Sequence, residues 1–406
     1  MKTIALAGTF DTKGQEFLYV KGLIETLGIR PLTIHTGVFE PLFEPDVSNR
    51  EVVEAAGYDL NELVKRHDRA QATKAIAEGM EILIPRLYQE GKFDGILSFG
   101  GSGGTSLATA AMRALPIGVP KVMVSTMASG NVGQYVGTSD IVMIPSIVDV
   151  AGLNAISKTI FRNAVLAAAG MVDLKDRLPQ EEEDGKPLVA ATMFGVTTPC
   201  VEHAKECLEN RGYEVMVFHA TGTGGKTMEA MARSGYFKGI LDLTTTEWCD
   251  QVIGGVLAAG EKRNEAASLC GIPQVVSVGA MDMVNFGPPD TVPEKFKGRK
   301  FYQHNPTVTL MRTTLEENIE IAQRLAGKLN LASGKTVLML PLKGVSAIDV
   351  EGQPFYGPEE DAALFRTLKE NVNRSVVEIE EYDMAINDPK FAEAAAKRLI
   401  RLMENN

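Results

Sequence analysis

Short apolar runs recur along the chain, and each is about five or six residues long. Residues 3–8 (TIALAG) and 188–193 (LVAATM) are two examples. A loop rich in small and hydroxyl-bearing residues follows such a run, and a helix-like pattern follows the loop. Apolar runs that alternate with helical patterns are typical of parallel strands buried on both faces. The pattern therefore predicts an α/β fold.

The same order of elements occurs twice in the 406 residues. FDGILSFGG in the first half corresponds to FKGILDLTT in the second, and GVPKVMVSTMAS corresponds to GIPQVVSVGAMD. A chain of this length also exceeds the size that one hydrophobic core normally reaches. We therefore predict two related Rossmann-like domains with mostly parallel sheets, an N-terminal one at residues 1–178 and a C-terminal one at residues 187–406.

A linker and an insertion complete this domain plan. Residues 174–187, LKDRLPQEEEDGKP, combine proline, glycine and a run of acids, a composition typical of a linker. The second and third predicted strands lie much farther apart in the first half than in the second. This difference predicts an insertion at about residues 38–75.

Composition narrows the class of protein. The formal net charge is -11, which disfavours broad attraction to nucleic acid or to acidic membranes. No uncharged apolar run reaches the ~18 residues of a membrane span. The four cysteines contain no C-x-x-C pair, so a disulfide framework or zinc knuckle is disfavoured. We expect a cytoplasmic protein that binds neither nucleic acid nor membranes.

One loop of the first half is unusually dense in glycine. It lies in residues 98–112, SFGGSGGTSLATAAM, between a predicted strand and an alanine-rich helix. Glycine lets a ligand approach the main chain, and a helix N-terminus attracts anions. The candidate phosphate-binding residues are Gly100, Gly101, Ser102, Gly103, Gly104, Thr105 and Ser106. A tight strand-to-helix turn is the alternative interpretation.

Two more polar loops follow predicted strands of the same domain. In GTFDTKGQE, Asp11 could bind a metal ion or a ribose hydroxyl, and Lys13 could reach a phosphate. A helix-capping role is the alternative. The candidates in the two loops are Gly8, Thr9, Asp11, Thr12, Lys13, Ser125, Thr126, Ser129, Gly130 and Asn131. Loops from parallel strands converge on one crevice, and without a G-x-G-x-x-G fingerprint NAD is disfavoured.

The second half contains HATGTGGKT, residues 219–227, which nearly matches the ATP-binding Walker A pattern. Ala220 stands where that pattern requires glycine. The main chain and Lys226 could still hold an anion. We therefore predict a small-anion site in the second domain that includes Gly224, Gly225, Lys226 and Thr227.

Several chemically capable side chains follow in the second half. A histidine, two carboxylates and an arginine near strand ends or turns suit acid-base work on an anionic substrate. The catalytic candidates are His304, Asp282, Glu247 and Arg312, with Asn285 and Asn305 as further substrate-binding candidates. For His304, a capping or core-edge role is the alternative.

Five segments together resemble a known family. GTFDTKGQE, SFGGSGGTSLA, VPKVMVSTMASGNV, GAMDMVNFGPP and FYQHNPTVTLMRTT are similar to a bacterial and plant family. This family is related to the ATP-binding N-terminal region of the tomato mosaic virus resistance protein. The resemblance implies a two-domain, dimeric α/β protein with ATP on residues 8–13 and 100–106, and with residues 125–131 nearby. The bacterial members are largely without assigned reactions.

The leading hypothesis is an ATP-binding protein that acts on or senses a small anionic metabolite in an interdomain cleft. Phosphoryl transfer or ATP-assisted activation would be its chemistry, with Mg²⁺ as a further cofactor candidate and Asp11 as its ligand. A non-catalytic nucleotide-responsive binding module is one alternative. The other is a nucleotide-independent isomerase or lyase that uses His304 and Asp282.

Overall fold

A computed structural model describes residues 1–66, 68–178 and 185–404 of the protein. The chain divides into two units, Met1–Glu182 and Glu183–Asn406. The linker predicted at residues 174–187 lies partly outside the described residues. Within the described residues, no helix is long and apolar enough to cross a membrane.

The first unit is built on a five-stranded sheet. Its strands are β1 (Thr3–Gly8), β2 (Arg30–His35), β3 (Gly95–Gly100), β4 (Lys121–Ser125) and β5 (Val142–Pro145). They lie in the order β2-β1-β3-β4-β5, and every pairing is parallel. β2 lies on one side of β1, and β3 lies on the other. The direction in which successive strands are added to the sheet therefore reverses between β1 and β3. Doubly wound sheets bind ligands at such a switch point.

Helices cover both faces of this sheet. They are α1 (Gly14–Thr26), α2 (Asn49–Ala55), α3 (Leu60–Arg66), α4 (Arg69–Gln89), α5 (Ser102–Ala114), α6 (Gly133–Val136) and α7 (Ala155–Asp173), with a 3-10 turn at Lys175–Arg177. Side chains of α1 and α7 share one apolar core. Those of α2, α4 and α5 share the other. β1 is buried along its whole length because both faces are covered.

The region predicted as an insertion, residues 38–75, contains α2, α3 and the start of α4. Ser48 and Glu51 form a capping box at the start of α2. The carboxylate of Asp68 accepts the N–H groups of Ala70 and Gln71 at the start of α4. These caps satisfy amides that the first turn of a helix leaves unpaired. The insertion is therefore built from capped helices.

The second unit contains two sheets. Its strands are β6 (Leu188–Met193), β7 (Glu214–His219), β8 (Gly239–Thr244), β9 (Gln274–Gly279), β10 (Met283–Phe286), β11 (Phe301–Asn305), β12 (Val308–Arg312), β13 (Thr336–Pro341) and β14 (Val377–Tyr382). Six of them form a parallel sheet in the order β14-β13-β9-β8-β6-β7. The other three form an antiparallel sheet in the order β10-β12-β11.

The helices of the second unit pack on both faces of its larger sheet. They are α8 (Thr198–Glu209), α9 (Thr223–Arg233), α10 (Glu247–Ile253), α11 (Ala266–Cys270), α12 (Leu315–Leu329), α13 (Pro358–Asn371) and α14 (Pro389–Glu404), with 3-10 turns at Pro289–Thr291 and Glu294–Phe296. Apolar residues of α8 and α14 share one core. Those of α12 and α13 belong to another.

Both units use the same strand order. Read in chain order, β6, β7, β8 and β9 occupy the sheet positions that β1, β2, β3 and β4 occupy in the first unit. The second unit adds the strand β14 beyond β13. The predicted α/β class, with two related and mostly parallel domains, is confirmed.

Candidate functional site

A cavity of about 720 Å³ opens at the switch point of the first sheet. Loops that follow β1 and β3 form its polar side, and residues of the insertion and of α5 form its apolar side. Its polar lining includes Thr9, Asp11, Thr12, Lys13, Asp68, Gly101, Ser102, Gly103, Gly104 and Asp149, and its apolar lining includes Val38, Phe39, Leu63, Val64, Ala72, Ile76 and Leu107. The structure thus brings two of the three predicted loops to one cavity.

The N-terminus of α5 lines this cavity. Gly101 is its N-cap residue and supplies no side-chain cap, so the first N–H groups of the helix have no partner within it. Ser102, Gly103 and Gly104 line the cavity. A Cβ added at Gly103 would meet no atom within 4 Å. Unpaired amides and the helix dipole together make this end suitable for an anion.

The loop after β1 contributes one cation and one carboxylate. Its turn is closed by the N–H groups of Thr12 and Lys13, which donate to the carbonyl oxygen of Thr9. Within the described residues, Lys13 has no ion-pair partner. The Oδ2 atom of Asp11 accepts the N–H of Phe39 at 3.2 Å. Its Oδ1 atom is buried and has no hydrogen-bond partner.

Acidic side chains outnumber basic ones at this cavity. Asp11, Asp68 and Asp149 line it together with Lys13. Asp68 caps α4, and Asp149 accepts the N–H of Ala151, so both have main-chain partners. Within the described residues, no group of three or more histidine, cysteine or acidic side chains could hold a metal ion. A polyanion would fit this charge distribution best as a complex with a divalent cation.

The hydroxyl groups near the end of β4 form hydrogen bonds within the protein and do not line the cavity. The buried side chains of Thr105 and Ser125 are hydrogen bonded at 2.6 Å. Ser125 also accepts the N–H of Met127, and Ser106 donates to the carbonyl of Ser102. The cavity lining does not include Thr105, Ser106, Ser125, Thr126, Ser129, Gly130 or Asn131. The third predicted loop therefore does not meet the other two at this cavity.

Two of the predicted glycines are explained by packing. A Cβ at Gly8 would lie 1.8 Å from a ring atom of Phe17, and one at Gly100 would lie 2.9 Å from the Cα of Gly104. Neither glycine lines the cavity. Only part of the glycine pattern therefore belongs to the candidate site.

The sequence patterns did not predict the apolar wall of the cavity. Leu63 and Val64 lie on α3, Ala72 and Ile76 on α4, and Leu107 on α5. A signal was nevertheless present, because the insertion directly follows the predicted second strand at the ligand-binding edge. Its apolar residues could have been assigned to the site on that basis.

Phe39 contributes an exposed aromatic ring to this wall. Its main chain is held on both sides: the N–H donates to Asp11, and the carbonyl accepts a hydrogen bond from Nε2 of the buried His35 at 2.9 Å. The side chain nevertheless remains 62% exposed and lines the cavity. An exposed aromatic ring on a hydrogen-bonded main chain, beside an apolar wall, suits a planar ligand group.

The near-Walker loop of the second unit binds a side chain of the protein itself. The carboxylate of Glu247 accepts the N–H groups of Gly222 and Gly225 at 2.7 and 3.2 Å. A Cβ at Gly225 would lie 2.2 Å from that carboxylate, and one at Gly224 would lie 1.9 Å from the carbonyl of His219. Of the residues predicted to bind a small anion, Gly225 therefore has its amide already hydrogen bonded to Glu247, and the space beside Gly224 is filled by main chain.

Thr227 and Lys226 are the other two candidates in this loop. The Thr227 hydroxyl donates to the carbonyl of Thr223 one helical turn earlier. Lys226 is exposed, and within the described residues it has no ion-pair partner. The side chains of Thr227 and Lys226 therefore do not form a binding site together.

Glu247 belongs to a buried charge network. Arg263 donates to Glu247 at 2.6 Å and to both carboxylate oxygens of Asp242, and it also lies 3.5 Å from Glu229. Burial raises the pKa of Glu247, and Arg263 opposes that shift. Asn264, with a left-handed φ of 63°, joins the network through Asp242. Glu247, a predicted catalytic residue, is thus fully buried, and its carboxylate caps the N-terminus of α9.

His304 and Asp282 do not form an acid-base pair. His304 is exposed on β11, and its side chain forms no hydrogen bond within the described residues. Asp282 is fully buried, and its Oδ2 accepts the hydroxyl hydrogen of Ser346. Burial raises the pKa of Asp282 to about 6. The two residues therefore occupy different environments.

The other polar candidates have separate partners. Asn285 donates to the buried Asp250, whose pKa burial raises to about 7. Asn305 accepts hydrogen bonds from Thr307 in the turn between β11 and β12. Arg312 is buried against Asp349, in the loop after β13, and Asp361, on α13. The structure therefore brings Arg312 and Asp282 into one buried charge network, and it does not bring the other four candidates, Glu247, His304, Asn285 and Asn305, to that network.

Comparison with family models identifies the chain. Residues 2–177 match the model described as "Uncharacterised protein family (UPF0261) N-terminal domain", and residues 186–403 match the corresponding C-terminal domain. The chain belongs to the UPF0261 family. A UPF0261 protein of Clostridium tetani is 56% identical over 404 residues, which are 99% of each chain.

A plant protein is also similar to this UPF0261 chain. The ToMV resistance protein Tm-1(GCR237) of Solanum lycopersicum is 47% identical over 341 residues. That match covers 82% of this chain and 45% of the tomato protein. The predicted relationship to bacterial and plant proteins is confirmed.

Likeness to solved structures is weak. The UDP-GlcNAc 2-epimerase of Methanocaldococcus jannaschii in complex with UDP-GlcNAc and UDP has 12% identity and a TM-score of 0.25, over 68% of this chain and 83% of that one. The UDP-N-acetylglucosamine 2-epimerase from Rickettsia bellii has 11% identity and a TM-score of 0.24, over 100% and 96%. These scores carry no argument about a ligand of the UPF0261 chain.

Proposed function

We propose that the first unit binds a nucleoside triphosphate, with ATP as the principal candidate, in the cavity at its switch point. The proposal rests on a single cavity that has both a polar surface and an apolar surface. The N-terminus of α5 and Lys13 suit phosphates, while the wall from α3, α4 and α5 suits a base. Neither surface alone would favour a nucleotide over a simpler ligand.

The phosphate end is supported by electrostatics. Main-chain N–H groups of Ser102, Gly103 and Gly104 would donate to phosphate oxygens, and the open space at Gly103 allows close approach. Lys13 would add a point charge. The loops of the switch point in doubly wound sheets are where such ligands bind.

The base end is supported by shape and apolarity. A volume of about 720 Å³ lies within the range of small-molecule sites. The ring of Phe39 would stack on the base, and Ile76 and Leu107 would contact it from the apolar wall. The resemblance of the loops to those of an ATP-binding region favours adenine among the bases.

Magnesium fits this arrangement as a companion of the phosphates. Mg²⁺ usually takes one or two carboxylates from the protein and fills its shell with phosphate oxygens and water. The orphaned Oδ1 of Asp11 is a suitable single ligand. When bound, the ion would neutralise phosphate charge that the surrounding aspartates would otherwise repel.

Two uses of the nucleotide are compatible with this site. One is phosphoryl transfer to, or activation of, a small anionic metabolite. The other is a non-catalytic switch in which the nucleotide sets a conformation. The isomerase or lyase hypothesis has less support, because His304 is exposed whereas Asp282 is buried and bonded to Ser346. A homodimer and a cytoplasmic location stay predictions.

Thermal unfolding in the presence of ligands tests the proposal. We expect ATP with Mg²⁺, or ADP, to raise the melting temperature more than NAD or inorganic phosphate does. Inorganic phosphate has no base for the apolar wall, and NAD has no terminal phosphate for the N-terminus of α5 and Lys13. Equal shifts with all four compounds, or no shift with any, would contradict nucleotide binding.

A further inference from the structure

A second cavity, of about 740 Å³, lies in the second unit at the carboxyl ends of β13 and β14. The loop at residues 342–357 and the first turns of α13 form its walls. Open α/β sheets bind ligands at this edge. The proposed nucleotide site contributes no residue to this cavity, which belongs wholly to the second unit.

The floor of the cavity is a buried charge network. Nη2 of Arg312 donates to Asp361 at 2.8 Å and to Asp349 at 3.2 Å. The guanidinium also meets the main-chain carbonyl of Asp282 at 3.5 Å and interacts electrostatically with the Asp282 carboxyl group. All four side chains are more than nine-tenths buried. Asp361 is the carboxyl group of the network that lines the cavity.

One guanidinium cannot balance three ionised carboxylates at this degree of burial. Burial raises the pKa of Asp349 to about 10, and the nearby Asp282 and Asp361 add to the shift. This shift favours the protonated form of Asp349 at neutral pH, in which its carboxyl group would donate a hydrogen bond to Asp361. The arrangement leaves Asp361 as a hydrogen-bond acceptor at the cavity floor.

One buried oxygen of the network lacks a hydrogen-bond partner, although Asp282, which carries it, does not line the cavity. Oδ2 of Asp282 accepts the Ser346 hydroxyl, whereas its Oδ1 is buried without any partner. Unpaired buried polar atoms are rare in folded proteins. Carboxyl groups with raised pKa values beside a cleft are typical of functional sites.

The rim of the cavity supplies a cation that is not used elsewhere. Lys343 pairs with Asp383, and Lys369 pairs with Glu381. Arg366, on the exposed side of α13, lines the same cavity and has no ion-pair partner within the described residues. A guanidinium can hold a carboxylate through two parallel hydrogen bonds.

We infer that this cavity binds a small hydroxy acid, with its carboxylate on Arg366 and its hydroxyl donating to Asp361. The site replaces the α9 loop as the position for a small anion in the second unit, because the amides of that loop are already bonded to Glu247. The ligand needs both a carboxylate and a hydroxyl group, because the cation Arg366 binds the carboxylate and the acceptor Asp361 binds the hydroxyl.

Calorimetric titration of the full chain with malate and succinate tests the inference, because these acids differ only by a hydroxyl group. We expect malate to bind more tightly than succinate. Arg366→Ala should weaken malate binding by about tenfold or more. Arg324→Ala is the matched control: Arg324 is 51% exposed and lies on α12 outside the cavity lining.

Asp361→Asn provides a second measurement. It should reduce the preference for malate over succinate, because an amide placed against Arg312 is a poorer acceptor than a carboxylate. The inference fails if neither acid binds saturably to the wild-type chain. It also fails if Arg366→Ala binds malate as tightly as Arg324→Ala does.

Discussion

At the residue scale, Asp11 and Phe39 are joined through the main chain. Oδ2 of Asp11 holds the N–H of Phe39, while Oδ1 faces no partner. One carboxylate therefore both positions the aromatic residue and keeps an oxygen for a ligand. In the proposed nucleotide site, the phosphate end and the base end are fixed by the same side chain.

Phe39→Ala tests the role of the aromatic ring. We expect ATP to bind about threefold to tenfold more weakly, because ring stacking is lost, while inorganic tripolyphosphate binds as in the wild type. Calorimetric titration with both compounds measures this. Leu42→Ala is the control, since Leu42 lies in the same loop and is 54% exposed but does not line the cavity. Equal losses for both compounds would exclude a stacking role.

At the element scale, α5 and α9 show why similar glycine loops differ in use. Both helices begin in a glycine-rich segment after a parallel strand. The first turn of α5 opens into a cavity, whereas that of α9 is capped by Glu247. The capping carboxylate lies on α10, so the local sequence of the α9 loop does not reveal it.

Gly103→Val tests the α5 terminus. A Cβ at Gly103 points into open space, so we expect unchanged stability in urea but ATP binding weakened by about tenfold or more, because the side chain blocks the amides. Gly22→Val is the control, since a Cβ at Gly22 on α1 also meets no atom within 4 Å. If Gly103→Val binds ATP as well as the control does, the phosphates do not lie on α5.

The parallel sheets could be predicted from sequence because their strands are buried on both faces and form apolar runs, as in β1 and β13. The antiparallel strand β11 could not, because four of its five residues are exposed and polar side chains dominate it. The loops after β1 and β3 were predicted as site residues from their glycine and hydroxyl content. The apolar wall required knowledge of where α3 and α4 fold.

At the scale of the whole molecule, the two units differ in their buried charged side chains. The second unit contains two buried networks, around Arg263 and around Arg312, in which carboxyl groups outnumber the guanidinium. Such networks contribute little to stability when complete, but the loss of one partner costs about 3–5 kcal/mol. The pH response of the chain should therefore originate mainly in the second unit.

Unfolding at two pH values tests this response. An aspartate in an unfolded chain has a pKa of about 3.9, whereas burial raises the pKa of Asp349 to about 10. Between these values the folded state binds more protons than the unfolded state, so the free energy of unfolding falls as pH rises. We expect the second unit to be less stable at about pH 9 than at about pH 6. Fluorescence of Trp248, the single tryptophan, reports on this unit in urea.

Asp349→Asn should flatten that dependence, because the amide keeps a neutral hydrogen-bond donor in place of the protonated carboxyl group. Asp383→Asn is the control, since the Asp383 side chain is 79% exposed. We expect the control to lose as much stability between the two pH values as the wild type, and Asp349→Asn to lose less. If all three chains lose the same amount, Asp349 ionises in the folded protein as an ordinary carboxyl group does, and the proton shared with Asp361 is absent.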